Sequence, residues 1–161
     1  MAGGARRGHG DVKHALRTVA AIVLVSPLAW GAEATIQLDP FAQATSGIAS
    51  CPVARPRLYT TEEAGAQAHA RSERGTRCAM EGTCEPGGAY RRDPEINEAV
   101  RAAIASDRRF AGSSVWITTS RRWVTLEGCV SGKAERRALV KFVALQQRVE
   151  RVFDELTIRA R

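Results

Sequence analysis

After the first 34 residues, the side chains able to do chemistry are four cysteines, one histidine and several pairs of arginines. Cys78 and Cys84 with His69 could be drawn as zinc ligands, but their spacing matches no usual structural zinc pattern. Nucleophilic catalysis needs a serine or cysteine next to an orienting histidine. His69 is the only histidine past the leader and lies in an alanine-rich helical stretch, where a solvent-exposed role is expected. Asp93, Glu95 and Glu98 read as acids at a helix start, and no glycine-rich phosphate loop occurs. The sequence therefore predicts no catalytic residue, no metal site and no cofactor. Ile48-Ala49-Ser50-Cys51 has the shape of a lipobox. A working lipobox directly follows an apolar signal core, whereas the polar stretch Gln37 to Gly47 intervenes here.

That leaves arginine. Lysine plus arginine number 24 against 17 acids, for a formal net charge of +7. A basic surface suits nucleic acid, anionic lipid or another acidic polymer. Arginine is matched to phosphate by its planar donor fork. Arg91, Arg92, Arg108, Arg109, Arg121 and Arg122 are the candidate contacts, with Trp116 and Trp123 as interfacial aromatics.

The first segment argues for a compartment. Arg6, Arg7, Lys13 and Arg17 precede the short apolar run Val19 to Ala29. Such a run suits a signal-peptide core and is too short to span a bilayer, which needs roughly 20 residues. Small residues follow, so residues 1–34 are expected to be a signal peptide cleaved after about Ala34, with an earlier site after Gly31 as the second choice. Cleavage takes four basic and two acidic side chains, leaving +5 on the mature chain. A periplasmic location makes nucleic acid an unexpected partner. An even number of cysteines in an exported chain reads as disulfides. Four cysteines admit three pairings; the short separation favours Cys78 with Cys84, which leaves Cys51 with Cys129.

Residues 35–90 read as a disulfide-bearing segment. Ala34 to about Tyr59 has little periodicity and contains Pro40, Pro52 and Pro56, so irregular chain is expected. Thr60 and Glu63 have capping-box spacing for a short helix to about Glu73, stopped by Gly75.

Residues 93–161 are better organised. Asp93 as N-cap and Pro94 at the first helical position open a helix whose apolar face carries Ile96, Val100, Ala103 and Ile104. Two strand-like runs, Val115 to Thr119 and Trp123 to Val130, flank Ser120-Arg121-Arg122 as a hairpin. A second helix follows from about Lys133 to Gln146, then a strand from about Val149 to Ile158. The order α-β-β-α-β predicts an α+β fold with helices on one face of a three-stranded sheet. Alternation places Val115, Ile117, Thr119, Val124, Leu126, Gly128, Val130, Val152, Leu156 and Ile158 inward. Gly128 is expected to let a helix approach. Trp116, Trp123, Cys129 and Phe153 fall on the outer face. Either residues 35–90 fold over that face, stapled by Cys129, or the face meets lipid or a partner.

The run from Asp93 through Ile96, Val100 and Asp107, the strand Val124-x-Leu126-x-Gly128-x-Val130, and the terminal Val149, Val152, Leu156 and Ile158 resemble the BON domain of bacterial envelope and osmotic-stress proteins. Two positions depart from that pattern: Arg148 stands where glycine is usual, and Arg121-Arg122 replace an Asn-Gly-like hairpin tip. The resemblance implies a non-enzymatic module that associates with phospholipid or the envelope surface and supports membrane integrity under stress. A periplasmic adaptor, docking an envelope protein through the sheet face or edge, is the alternative. A hydrolase or redox protein is the remote third.

Overall fold

The structure of the protein is a computed structural model, which describes residues 1, 3, 4 and 34–159. The signal peptide expected over residues 1–34, with its basic start and its apolar run, lies outside the described residues apart from those few positions. All the elements that follow belong to one compact unit.

They run in the order β1 (Thr35–Gln37), β2 (Phe41–Ser46), β3 (Leu58–Thr60), α1 (Thr61–Met80), α2 (Asp93–Ser106), a 3-10 turn (Arg108–Phe110), β4 (Ser114–Ser120), β5 (Trp123–Val130), α3 (Lys133–Ala144) and β6 (Arg151–Ile158). The predicted α-β-β-α-β order is α2-β4-β5-α3-β6, and the class is α+β. The sheet, however, has four strands, ordered β2-β4-β5-β6. β4 is antiparallel to β2 and β5, and β6 is parallel to β5. The segment expected to be irregular supplies β2. Its residues FAQATS carry little β-propensity; what makes them a strand is the open edge of β4, with Ala42 opposite Ile117.

The main core lies between this sheet and the helices α2 and α3. Ile96, Val100, Ile104, Val115, Ile117, Val124, Leu126, Val130, Leu139, Val143 and Leu156 pack there with Phe110. At about 25 cal/mol per Å² of apolar surface buried, side chains of this size are what drive the fold. Ile158, expected inward, is exposed near the C-terminal end of the edge strand β6.

Gly128 requires a correction. A Cβ there would meet the Ser114 carbonyl oxygen at 2.1 Å and the Trp116 ring at 3.1 Å, so the close neighbour is strand β4, not a helix. Its φ of 120° is also one that side chains disfavour.

On the opposite face of the sheet a second cluster forms from Ile48, Cys51, Trp116 and Cys129, flanked by Phe41 and Ala54. The chain after β2 folds back over Trp116. The Ile48 N–H donates to Ser114 Oγ, which in turn donates to the Ile48 carbonyl, and a Cys51–Cys129 disulfide holds the flap down. The outer face is thus closed over Trp116 by residues 41–54, as the covering alternative required. Cys51 is buried and bonded through sulfur, which leaves no thiol for the lipid attachment its lipobox-like context raised.

Helix α1 has the expected capping box: the Glu63 N–H donates to Thr60 Oγ1 and the Thr60 N–H to the Glu63 carboxylate. It runs on to Met80, past the stop expected at Gly75. Gly75 is a crossing point instead, buried where Gly88 passes, with 3.2 Å between a would-be Cβ and the Gly88 Cα. The second disulfide, Cys78–Cys84, turns the chain back at the helix end. Among the described residues no helix is long and apolar enough to cross a membrane.

One of the two edges of the sheet, β6, is blunted by its own side chains. On β6 the Leu156 N–H donates to the Asp154 carboxylate, and Arg136 donates to both the carboxylate and the carbonyl of Asp154. Such capping discourages strand addition.

Candidate anion-binding face

The β4–β5 hairpin turns through Arg121 and Arg122, whose φ values are 59° and 64°. Two consecutive positive φ angles make a tight hairpin of the kind that glycine and asparagine favour. In an arginine each costs on the order of 1 kcal/mol. The compensation comes from Asp93. Its carboxylate accepts the Arg121 N–H at 2.6 Å and the Arg122 N–H at 2.7 Å. Asp93 is therefore not the N-cap of α2; it is the first helical residue, Arg92 takes the cap position, and Pro94 is second. Burial pushes the Asp93 carboxyl above its ordinary pKa, with the two N–H groups pulling the other way. The third non-glycine residue with positive φ is Arg148, at 70°, in the turn before β6. The three residues at the two departures from the usual pattern thus all stand at left-handed backbone positions where glycine or asparagine would cost less.

Five of the eight candidate contacts meet around this tip: Arg91, Arg92, Arg121, Arg122 and Trp123. Part of the cluster is neutralised. Arg92 lies between Glu85 at 2.7 Å and Glu95 at 3.0 Å, Arg122 meets Glu150 at 2.8 Å, and Arg148 meets Glu95 at 3.3 Å. Arg91 donates to the Pro86 carbonyl. These pairs clamp the loop after Cys84 to the hairpin, around a cavity of about 50 Å³.

The other part is not neutralised. Arg121 stacks over the Trp123 ring at 4.6 Å and Arg151 over the same ring at 5.1 Å. Neither has a carboxylate partner among the described residues. Trp123 meets Phe153 edge-on, with 5.7 Å between ring centroids. On the facing side Arg74 donates through Nε to the Tyr90 hydroxyl at 2.9 Å. Arg74, Tyr90, Arg121, Trp123 and Phe153 border an open cleft of about 250 Å³, and Arg151 lies on the Trp123 ring outside that lining.

The remaining three candidates lie elsewhere. Trp116 is buried under the flap and cannot meet a ligand. Arg108 and Arg109 follow the C-terminal end of α2, about 20 Å of helix from the tip at 1.5 Å per residue. Arg109 pairs with Asp107 there and covers Phe110 and Phe142. Sequence reasoning missed Arg74, Tyr90, Arg148 and Arg151 as members of the tip. Arg151 was within reach, since it alternates with Phe153, but its position opposite Trp123 depends on the parallel register of β5 and β6.

The acids offer little chemistry. His69 is exposed and pairs with Glu73, and the two cysteines near it are bonded to each other. Among the described residues no group of three or more ligating side chains is placed to hold a metal. Glu127 and Glu155 stand opposite each other on β5 and β6. Desolvation, and then the charge of Glu155, raise the Glu127 pKa above its ordinary 4.5. A carboxyl raised in the folded state favours folding while protonated, and that contribution is lost as pH rises from about 4.5 through the folded value. Glu127→Gln is therefore expected to stabilise the protein by about 0.5 kcal/mol at pH 7, with no gain at pH 4. Urea denaturation at the two pH values checks this; equal effects at both would show that the charge is not the cause.

No curated protein matches the chain. The family model of the BON domain matches residues 92–160, from the cap of α2 to just past β6, and that segment is similar to the BON family.

Proposed function

We propose that this protein is an exported, non-enzymatic binding module of the bacterial envelope whose hairpin end meets the surface of an anionic phospholipid membrane. The observation that carries the reading is the gathering of arginines at one end of the fold, two of them over Trp123 without carboxylate partners among the described residues. Two disulfides suit a periplasmic location, as does the leader pattern in the sequence. The BON family implies association with the envelope and a role in its integrity under stress. The adaptor alternative has less surface to use, because Trp116 and Cys129 are covered and the edge strand β6 is capped.

Flotation of the oxidised protein with vesicles tests the reading. Binding is expected to vesicles containing phosphatidylglycerol, not to phosphatidylcholine alone, and to fall several-fold between low and physiological salt as screening shortens the reach of the charges. Binding indifferent to lipid charge or to salt would rule the electrostatic mechanism out.

A further inference from the structure

We infer that the cleft between Trp123 and Tyr90 is a discrete site for one phosphoryl group, carried by a phosphate ester. This deepens the membrane reading and rests on it only for a lipid source of the phosphate.

The cleft is bordered by Arg74, Tyr90, Arg121, Trp123 and Phe153 with the hydroxyl-bearing Ser120 and Thr125, and no carboxylate lines it. That sets it apart from the neighbouring Arg92–Arg122–Arg148 cluster, where Glu85, Glu95 and Glu150 already take the guanidinium edges. Arg121 and Arg151 lie over an aromatic ring, and stacking of that kind uses the face of the guanidinium and leaves its N–H edge free. Arg74 spends Nε on the Tyr90 hydroxyl; that hydroxyl, having accepted, still has its own proton to donate. Hydroxyls of Ser120 and Thr125 add further donors.

The donors come from three parts of the fold: α1, the loop that carries Tyr90, and the β4–β5 hairpin. Donors converging from several directions match a tetrahedral oxyanion better than a planar carboxylate, whose acceptor sites lie in one plane. The Trp123–Phe153 edge provides an apolar wall for the organic part of an ester. The hairpin keeps arginine at a φ of 59°, where asparagine or glycine would be less strained, which is how function rather than stability shapes a turn. The site can take a lipid headgroup or a soluble phosphoester, and the two are separable by experiment.

The test uses the oxidised protein and the double variant Arg121→Gln/Arg151→Gln. Neither side chain makes an ion pair among the described residues, so the variant loses only ring contacts and is expected to stay folded, melting within a few degrees of wild type; Arg108→Gln/Arg109→Gln is the control for lost charge. One arm titrates sn-glycerol 3-phosphate by calorimetry, with chloride at equal ionic strength as the blank. The other floats the proteins with phosphatidylglycerol vesicles. The expected result is saturable one-to-one binding of glycerol phosphate, weakened at least tenfold in the cleft variant and unchanged in the control. If the cleft variant also loses flotation more than the control does, the source is the headgroup. If it floats like wild type, the site takes a soluble ester. Wild-type protein that binds glycerol phosphate yet ignores vesicles would sink the membrane reading and leave this site standing. The site itself is overturned if glycerol phosphate gives no saturable heat and the two variants float alike, or if both variants bind the ester as wild type does.

Discussion

Replacing Gly128 with alanine is expected to cost more than about 3 kcal/mol or to prevent folding altogether. Two penalties act at once. The backbone has a φ of 120°, which a Cβ disfavours, and that Cβ would overlap the Ser114 carbonyl at 2.1 Å. Neither neighbour can retreat. Ser114 is buried and ties β4 to Ile48 of the flap, and Trp116 is packed beneath the Cys51–Cys129 bridge. Gly65→Ala is the internal control: it lies in α1 with nothing within 4 Å of a new Cβ, so it is expected to stabilise by up to about 1 kcal/mol. Urea denaturation of both variants is the measurement. A Gly128→Ala protein within 1 kcal/mol of wild type would mean that the β4–β5 contact is looser than its geometry.

The double substitution Cys51→Ser/Cys129→Ser is expected to lower stability by about 4 kcal/mol, whereas Cys78→Ser/Cys84→Ser costs about 2 kcal/mol. The difference follows from the chain enclosed: the first bridge spans 78 positions and the second only 6. The longer bridge also seals a hydrophobic cluster. Without it the flap from Ile48 to Ala54 keeps its hydrogen bonds to Ser114 but loses its anchor on β5. Trp116 fluorescence is therefore expected to shift to the red in the first variant and not in the second. Equal losses of stability, or an unmoved Trp116 spectrum in the first variant, would contradict the role given to this bridge.

What could be read in advance is the part of the fold that local pattern controls. The apolar spacing of Ile96, Val100 and Ile104 marks a helix face whatever it packs against, and those residues are buried in the core. The alternation of Val124, Leu126 and Val130 works in the same way for β5. Thr60 and Glu63 satisfy each other within one helical turn, so their capping box was legible from four residues. The short Cys78–Cys84 separation favoured the pairing that is observed, and the Arg121-Arg122 tip lies in the turn where spacing put it.

The candidate site is a different matter. Trp116 and Trp123 share a face and look equivalent in sequence, yet one is sealed under residues 41–54 and the other borders a cleft. Only the path of the flap distinguishes them. Asp93 has every mark of a helix cap, but its carboxylate holds a turn that is 28 and 29 residues away in the chain. β2 has almost no strand signal of its own and exists because β4 offers an open edge. Arg74, Tyr90 and Arg151 come from a helix, a loop and an edge strand that meet only when the sheet is assembled. The helices and strands of residues 93–161, the fold class and the basic, cysteine-paired character of the protein were legible in the chain, because periodicity, capping and charge act over a few residues. Tertiary structure alone decided which arginines are neutralised, which indole is open and what Gly128 protects, because those depend on distances between residues far apart in the chain.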